Sequence, residues 1–506
     1  MTAVARTIRV RNAVAFQVKD CPVLGEREFH DEVVSTVRNG AWIAALYGEG
    51  QPDGSVKLFA VMADDAAHEL AITSTVVRDK YPSLTADLPQ AQAFERDIAE
   101  VWRVRPVGHP WLKPLRFQAA RTDAPDVLTP VERKIGQSPF FSMLGEEIHE
   151  VAVGPVHAGV IEPGHFRFQC HGETVHHLEI SLGYQHRGVT KALVGGPNKR
   201  TQHYIETLAG DTSVGHALAY AQASEGLSRG EVPGRAVRIR QIALELERLA
   251  CHTGDLGALS GDVGFQPTDA FCGRLRGDVL NLTALICGNR FGRGLLRPGG
   301  TRHDLDEARI QKALSALDAY AKDIRQAVDL LQSTASVLAR FESVGVVSKE
   351  LATEIGLVGP AARASGLTRD VRADFPTGAH LVRPYVPATA TTGDVAARAK
   401  VRALEIEKSI DLVRRELQAP WRDGLTWLEP GGLRPNEMVV SLTEAWRGAV
   451  CHVARTEATG HFACYQVVDP SVHNWFGLAC ALREQAISDF PVCNKSFNLS
   501  YCGHDL

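Results

Sequence analysis

The chain has 506 residues, 44% of them hydrophobic and 23% charged, with a formal net charge of −4. That size and balance fit a soluble protein with two or three cored domains, and the slightly acidic total gives no basic footprint for nucleic acid. No apolar run approaches the ~20 residues of a membrane span, the N-terminus lacks the core of a secretory signal, and ten scattered cysteines without a C-x-x-C pair point to neither a zinc cluster nor a disulfide framework.

Along the chain, residues 1–121 read as a small α/β domain. VVSTVRNGAWIAALYGEG and GSVKLFAVMAD suggest a helix and two strands joined by a Gly turn, and HELAITSTVV another strand. A helix follows at FERDIAEVW. Its Glu95, Arg96, Asp97 and Glu100 read, on physical grounds alone, as a solvated face. Residues 122–148 are polar and Pro-containing, a linker. From 149 to 506 short β-like runs come first, then long stretches with apolar residues at three- and four-residue intervals, including residues 306–341 and 396–417, which predict a helix bundle. HFACYQVVD reads as a returning strand, SVHNWF as a turn and ALREQAISDF as a final helix. The fold class expected is α+β: a small N-terminal α/β domain joined to a larger unit made of a β region and a long-helix bundle.

Two sets of motifs carry a family resemblance. YPSLT (81–85), FERDIAEVW (94–102) and GHPWLKPLRF (108–117) resemble the 30 kDa type subunit of respiratory complex I, where this helix and tail dock the domain on its larger partner. GPVHAGVIEPGHFRF (154–168), GYQHRGVTKAL (183–193), LELERLACHTGDLGALSGD (244–262), RFGRGLLRPGG (290–300) and GLVGPAARASGLTRDVRADFP (356–376) resemble, in order and spacing, the 49 kDa type subunit of complex I and the large subunit of energy-converting nickel–iron hydrogenases such as that of formate hydrogenlyase. The resemblance implies a fused protein with a hydrogenase-large-subunit-like domain over 149–506.

It also implies where chemistry would sit. Such hydrogenases hold nickel and iron with four thiolates, two from a C-x-x-C opening a helix and two near the C-terminus. The first pair falls on Ala209 and Thr212. The second falls on Ser500 and Gly503, or, with a one-residue gap, on Leu499 and Cys502. One thiolate at most remains, so a nickel–iron centre is not expected. EATGHFA (457–463), taken as the place of the family's Glu-x-x-Arg-Gly turn, has no Arg. The chain stops where mature relatives end, so no cleavable extension is expected either.

By resemblance, Glu162 is a proton-relay candidate, with pairing to Arg167 as its structural alternative. His165, Asp262 and Arg369 join it as pocket candidates. Asp262 reads equally as a buried helix cap, and Arg369, with Arg363, Asp370 and Arg372, as an ion-paired loop. Complex I pairs a His and a Tyr on quinone. Glu162 and Pro163 stand at the His position, leaving Tyr204 and His216 as candidates for a quinone pocket. The remaining histidines, among them His157, His176, His177, His186, His203 and His252, lack metal-ligand spacing, and no G-x-G-x-x-G follows a strand. The functional expectation is a subunit of a membrane-associated oxidoreductase complex, active in electron transfer or proton coupling, or else a catalytically silent scaffold, or an altered hydrogenase. Iron–sulfur clusters would reside in a small iron–sulfur partner. Membrane antiporter-like subunits, and a formate dehydrogenase subunit as a further partner, would hold the chain on the cytoplasmic face of the inner membrane.

Overall fold

A computed structural model describes residues 5–128, 135–137, 139–158, 161–421 and 424–506. Linker residues 129–134 and 138, the first four residues, and Gly159 and Val160 of the 154–168 motif therefore lie outside the described residues.

The N-terminal region forms a sheet in the order Ile8–Val10, Glu69–Val77, Val56–Asp64, Trp42–Gly50, all antiparallel, with Val23–Leu24 parallel to Glu69–Val77. The helix Glu26–Arg38 lays Phe29, Val33 and Val34 on it. A second sheet runs Phe462–Val468, Gly448–Thr456, Glu437–Ala445, and is completed by Phe16–Gln17 from the start of the chain. The two sheets share one apolar core containing Trp42, Phe59, Met438, Val453 and Cys464, and Arg455 pairs with Glu49 across it. The region 1–121 is thus built against the end of the chain.

The long helices Gly234–Asp262, Gln266–Cys287, Glu307–Ser333 and Val395–Gln418 pack as a bundle around a second core. Ser213–Ser228 lies between that bundle and the C-terminal sheet. A three-stranded antiparallel sheet, Thr174–Ser181, His165–His171, Ile148–Val153, covers one side. The architecture is α+β.

Three readings change. The charge run on Gln92–Trp102 is not a solvated face, since Glu95 and Glu100 are fully buried. Glu95 accepts from Ser83 Oγ (2.6 Å), Leu84 N (2.8 Å) and Thr85 Oγ1 (2.6 Å), and Glu100 accepts from Arg116 N (2.9 Å) and Gln118 N (3.0 Å). These carboxylates hold the YPSLT turn and the Pro-rich tail by satisfying backbone donors that burial would otherwise strand. Near the C-terminus, SVHNWF belongs to the helix Pro470–Ala481, started by Pro470 behind the Asp469 cap, whereas 482–489 is turn and 3₁₀ structure with Glu484 at φ +59°. The single helix expected over 306–341 breaks at Thr334, whose hydroxyl bonds back to Leu330 O, into Glu307–Ser333 and Ala335–Phe341.

Candidate functional site

The loop ahead of Ser213–Ser228 and the C-terminal turn meet. Arg187, from the 183–193 motif, donates to Thr207 O (2.7 Å) and Leu208 O (2.8 Å) on one side and to Cys502 O (3.2 Å) on the other. The last helix, Tyr501–Asp505, is docked by Asp505, which accepts from Gly183 N (2.8 Å) and Gln185 N (2.9 Å). At Gly503 the turn passes over Asp469, and a Cβ there would lie 2.7 Å from Asp469 Oδ2 and 2.9 Å from Ser500 Oγ. Only glycine permits that approach.

Between these walls lies an ion pair. Arg447 binds Asp211 with both guanidinium nitrogens (2.6 and 2.8 Å), donates through Nε to Asn498 O (2.5 Å) and stacks on Trp446 (3.9 Å). Trp446 Nε1 donates to Asp211 O (2.9 Å) and Thr212 Oγ1 (3.1 Å). Burial opposes the charge on Asp211, but Arg447 outweighs it and holds the carboxyl below its ordinary value. This arginine is the fourth residue of Glu444-Ala445-Trp446-Arg447-Gly448. The Glu-x-x-Arg-Gly turn is therefore present, one hairpin earlier than 457–463, and its arginine sits over the loop.

Glu162 reaches this place. It accepts from Tyr501 N (3.2 Å), while the half-buried Cys502 thiol, facing Glu162 and the Gly210 backbone, is pushed up to about 11 by desolvation and by that carboxylate. Arg167 instead takes Glu150 and donates to His165 Nε2 (3.1 Å), so the Glu162–Arg167 pair does not form. On the inner side a buried polar chain runs on. His216 Nε2 meets Asp469 Oδ2 (3.2 Å), His216 Nδ1 meets His452 Nε2 (3.0 Å), and His452 Nδ1 meets Tyr465 Oη (2.9 Å). Desolvation drives His452 well below the usual imidazole range.

The other candidates lie elsewhere. His165 spends both ring nitrogens, on the Gly154 carbonyl (3.0 Å) and on Arg167. Asp262 is exposed at the last residue of its helix, neither buried nor capping, about 16 Å along the axis from Cys251 at the loop. Arg369 pairs with Asp65 (2.9 Å) and lies 5.0 Å from Trp42, joining the N-terminal region to the 356–376 motif. Tyr204 packs in a separate cluster with Leu208, Tyr220 and Leu506.

Sequence reading missed Glu247 and, beyond the ion-paired loop of Arg363, Asp370 and Arg372, the rest of a larger charged cluster. Glu247 accepts from Val214 N (2.7 Å) and Gly215 N (3.0 Å) at the start of Ser213–Ser228, and desolvation, aided by Asp211, raises it to about 8. Behind the hairpin turn, Arg248, Arg363 and Arg372 interlock with Glu245, Asp370, Glu405 and Glu444, all buried. Three arginines face four carboxylates, His252 Nε2 meets Glu405 as well (2.8 Å), and desolvation together with Asp370 pushes Glu444 up. The only sequence signal was the density of Arg and Glu inside the 244–262 and 356–376 motifs.

The donor set does not fit a nickel–iron centre. Ala209 and Leu499 offer no ligand atom, Thr212 Oγ1 is engaged by Trp446 and Arg447, Ser500 Oγ accepts from Gly503 N (2.9 Å), and Cys502 is a single thiol where four are required. Among the described residues no three His, Cys, Asp or Glu side chains converge in a metal-holding group.

A helix bundle whose first loop faces the chain's own C-terminal turn across a buried arginine's ion pair defines a hydrogenase-type large subunit. Residues 262–426 match the family of the respiratory-chain NADH dehydrogenase 49 kDa subunit. The chain is 28% identical to formate hydrogenlyase subunit 5 of Escherichia coli over 96% of its length and 89% of that protein's. It is 30% identical to the carbon monoxide-induced hydrogenase of Rhodospirillum rubrum (69% of this chain, 97% of the relative) and 30% identical to NADH-quinone oxidoreductase subunit 4 of Thermus thermophilus (58% and 71%). The chain belongs to the superfamily of the complex I 49 kDa subunit and the hydrogenase large subunits. Among the described residues no helix is long and apolar enough to cross a membrane.

Proposed function

We propose that this chain is the large subunit of a membrane-associated oxidoreductase complex of the complex I and formate hydrogenlyase type, that it works without a nickel–iron centre of its own, and that its pocket serves proton coupling. One observation carries the reading: the family's Arg still sits over the loop, but it is locked onto Asp211 where thiolates are missing. A bidentate pair of this kind fixes charge in place with hard atoms, and Cys502 is the one thiol left at the four positions. The polar groups from Glu162 through Cys502 and Ser500, and from Asp469 through His216 and His452 to Tyr465, supply proton-carrying atoms from the protein edge to its interior. Electrons would enter from a small iron–sulfur subunit whose clusters are its own. Antiporter-like membrane subunits would hold the assembly at the cytoplasmic face of the inner membrane, and a formate dehydrogenase subunit is a fitting electron source.

The test uses the intact complex purified from nickel-replete cells. Elemental analysis is expected to give far less than one nickel per chain, and a stoichiometric nickel content would overturn the metal-free reading. In sealed vesicles driven by formate or NADH, Glu162→Gln is expected to lower proton uptake per electron while the complex stays assembled. Unchanged coupling in both Glu162→Gln and His216→Gln would leave only a scaffold.

A further inference from the structure

We propose that the cavity between the helices Gln92–Trp102 and Pro470–Ala481 and the strand Thr174–Ser181 is a binding site for an amphipathic monoanion, a carboxylate carried on an apolar body. The cavity has a volume of about 470 Å³ and is walled largely by apolar and aromatic side chains, among them Ala93, Leu178, Phe476 and Ala479. That is the size and character of a small-molecule site, and it is separate from the Asp211–Arg447 ion pair.

Its charge is one-sided. Arg96 lines it, donating Nε to Lys113 O (3.0 Å) and Nη2 to Pro114 O (2.6 Å), but among the described residues no carboxylate lies within ion-pairing distance of its guanidinium. Burial lowers Arg96 only to about 10, so it stays cationic at neutral pH. The one acid in the described wall, Glu179, is already taken by the Lys113 ammonium, Trp111 Nε1 (3.1 Å) and Phe141 N (2.8 Å). His109 is pulled down to about 4 and His177 is also lowered, both by desolvation, so these rings add wall and no charge. Trp475, 5% exposed, lines the same space, and its indole N–H has no acceptor among the described residues. Glu179 and Glu100 support the Arg96 charge only from a distance, and a cation in contact with no carboxylate and an unused donor, set in apolar walls, favour a ligand with an anionic acceptor at one end and hydrocarbon or an aromatic ring at the other. The charge-assisted bond to guanidinium supplies orientation and the buried body supplies most of the affinity.

The experiment is calorimetric titration of the full-length chain with decanoate and with decyltrimethylammonium, which share a tail and differ in charge. Decanoate is expected to bind saturably at one site with Kd below about 0.1 mM, and the cation at least about tenfold more weakly. Arg96→Gln is expected to cost about tenfold or more in decanoate affinity. Since Arg96 also holds the 113–114 tail, Ala93→Phe serves as the second variant: it fills the cavity with Arg96's own bonds intact and is expected to abolish binding while the thermal midpoint is kept. Absence of saturable binding up to about 1 mM, equal affinity for the two tails, or decanoate binding undiminished in Ala93→Phe would each overturn the proposal.

Discussion

Two ionic regions flank the same hairpin turn and behave as opposites. On one side, Glu444 enters a cluster of seven charged side chains with essentially no solvent contact. On the other, three residues later, Arg447 makes a single pair with Asp211, whose side chain keeps 36% of its surface exposed. The first is sealed scaffold, in which each charge is held by several others and none can be removed singly without stranding its partners. The second is a local closure resting on one carboxylate, one backbone carbonyl and one hydroxyl, and it can be rewritten without dismantling the fold. The chemistry-bearing positions of this superfamily can thus be altered on the open side of the turn while the closed side preserves the architecture.

The comparison can be broken by substitution. Arg363→Met removes the cation shared by Asp370, Glu405 and Glu444 and is expected to destabilise the chain by about 3–5 kcal/mol in chemical denaturation. A loss under about 1 kcal/mol would show the cluster to be no more integral than the pair. Arg447→Met should cost about 1–3 kcal/mol, because water takes over part of Asp211, and should raise the Asp211 pKa, read by carboxyl NMR titration.

Glu247 sharpens the contrast through pH. Its folded pKa, about 8, lies above the ordinary 4.5, so the folded state binds the extra proton. Its stabilising contribution is full below about 4.5 and is lost as pH rises through about 8. Glu247→Gln is expected to flatten the decline in stability across that window, with little difference from wild type at pH 4. An unaltered slope would show that Glu247 titrates normally. The smallest effect expected is for Thr212→Val, about 1 kcal/mol, from the hydroxyl contacts to Trp446 and Arg447.

Much of the scaffold was legible because its helices bury one face. Val395–Gln418 and Glu307–Ser333 repeat apolar residues at helical spacing and formed nearly where that spacing put them. The strands Glu437–Ala445 and Gly448–Thr456 were not read, because they are buried on both faces and lose the alternation that marks a half-exposed strand. That gap also displaced the Glu-x-x-Arg-Gly turn, which lies at their hairpin. Within the site, Glu162 and His216 are brought to the two ends of the polar groups around the C-terminal turn. Asp262 and Arg369 were grouped with them by motif, but a rigid helix carries the first away and an ion pair to Asp65 turns the second toward the N-terminal sheet.

The short strand Phe16–Gln17 has a consequence for how the chain is made. Its partner, Glu437, lies 420 residues later, so at about 5–20 residues per second the ribosome needs on the order of 20–80 s to deliver it. Through that interval the other three strands of the second sheet are still unmade, so Phe16–Gln17 has nothing to pair with, and the apolar side of the N-terminal sheet that will meet Met438 and Val453 has nothing to cover it. Contacts of such long sequence separation form late. Completion of this subunit is therefore gated by translation, and its N-terminal half is the part most in need of a chaperone while it waits.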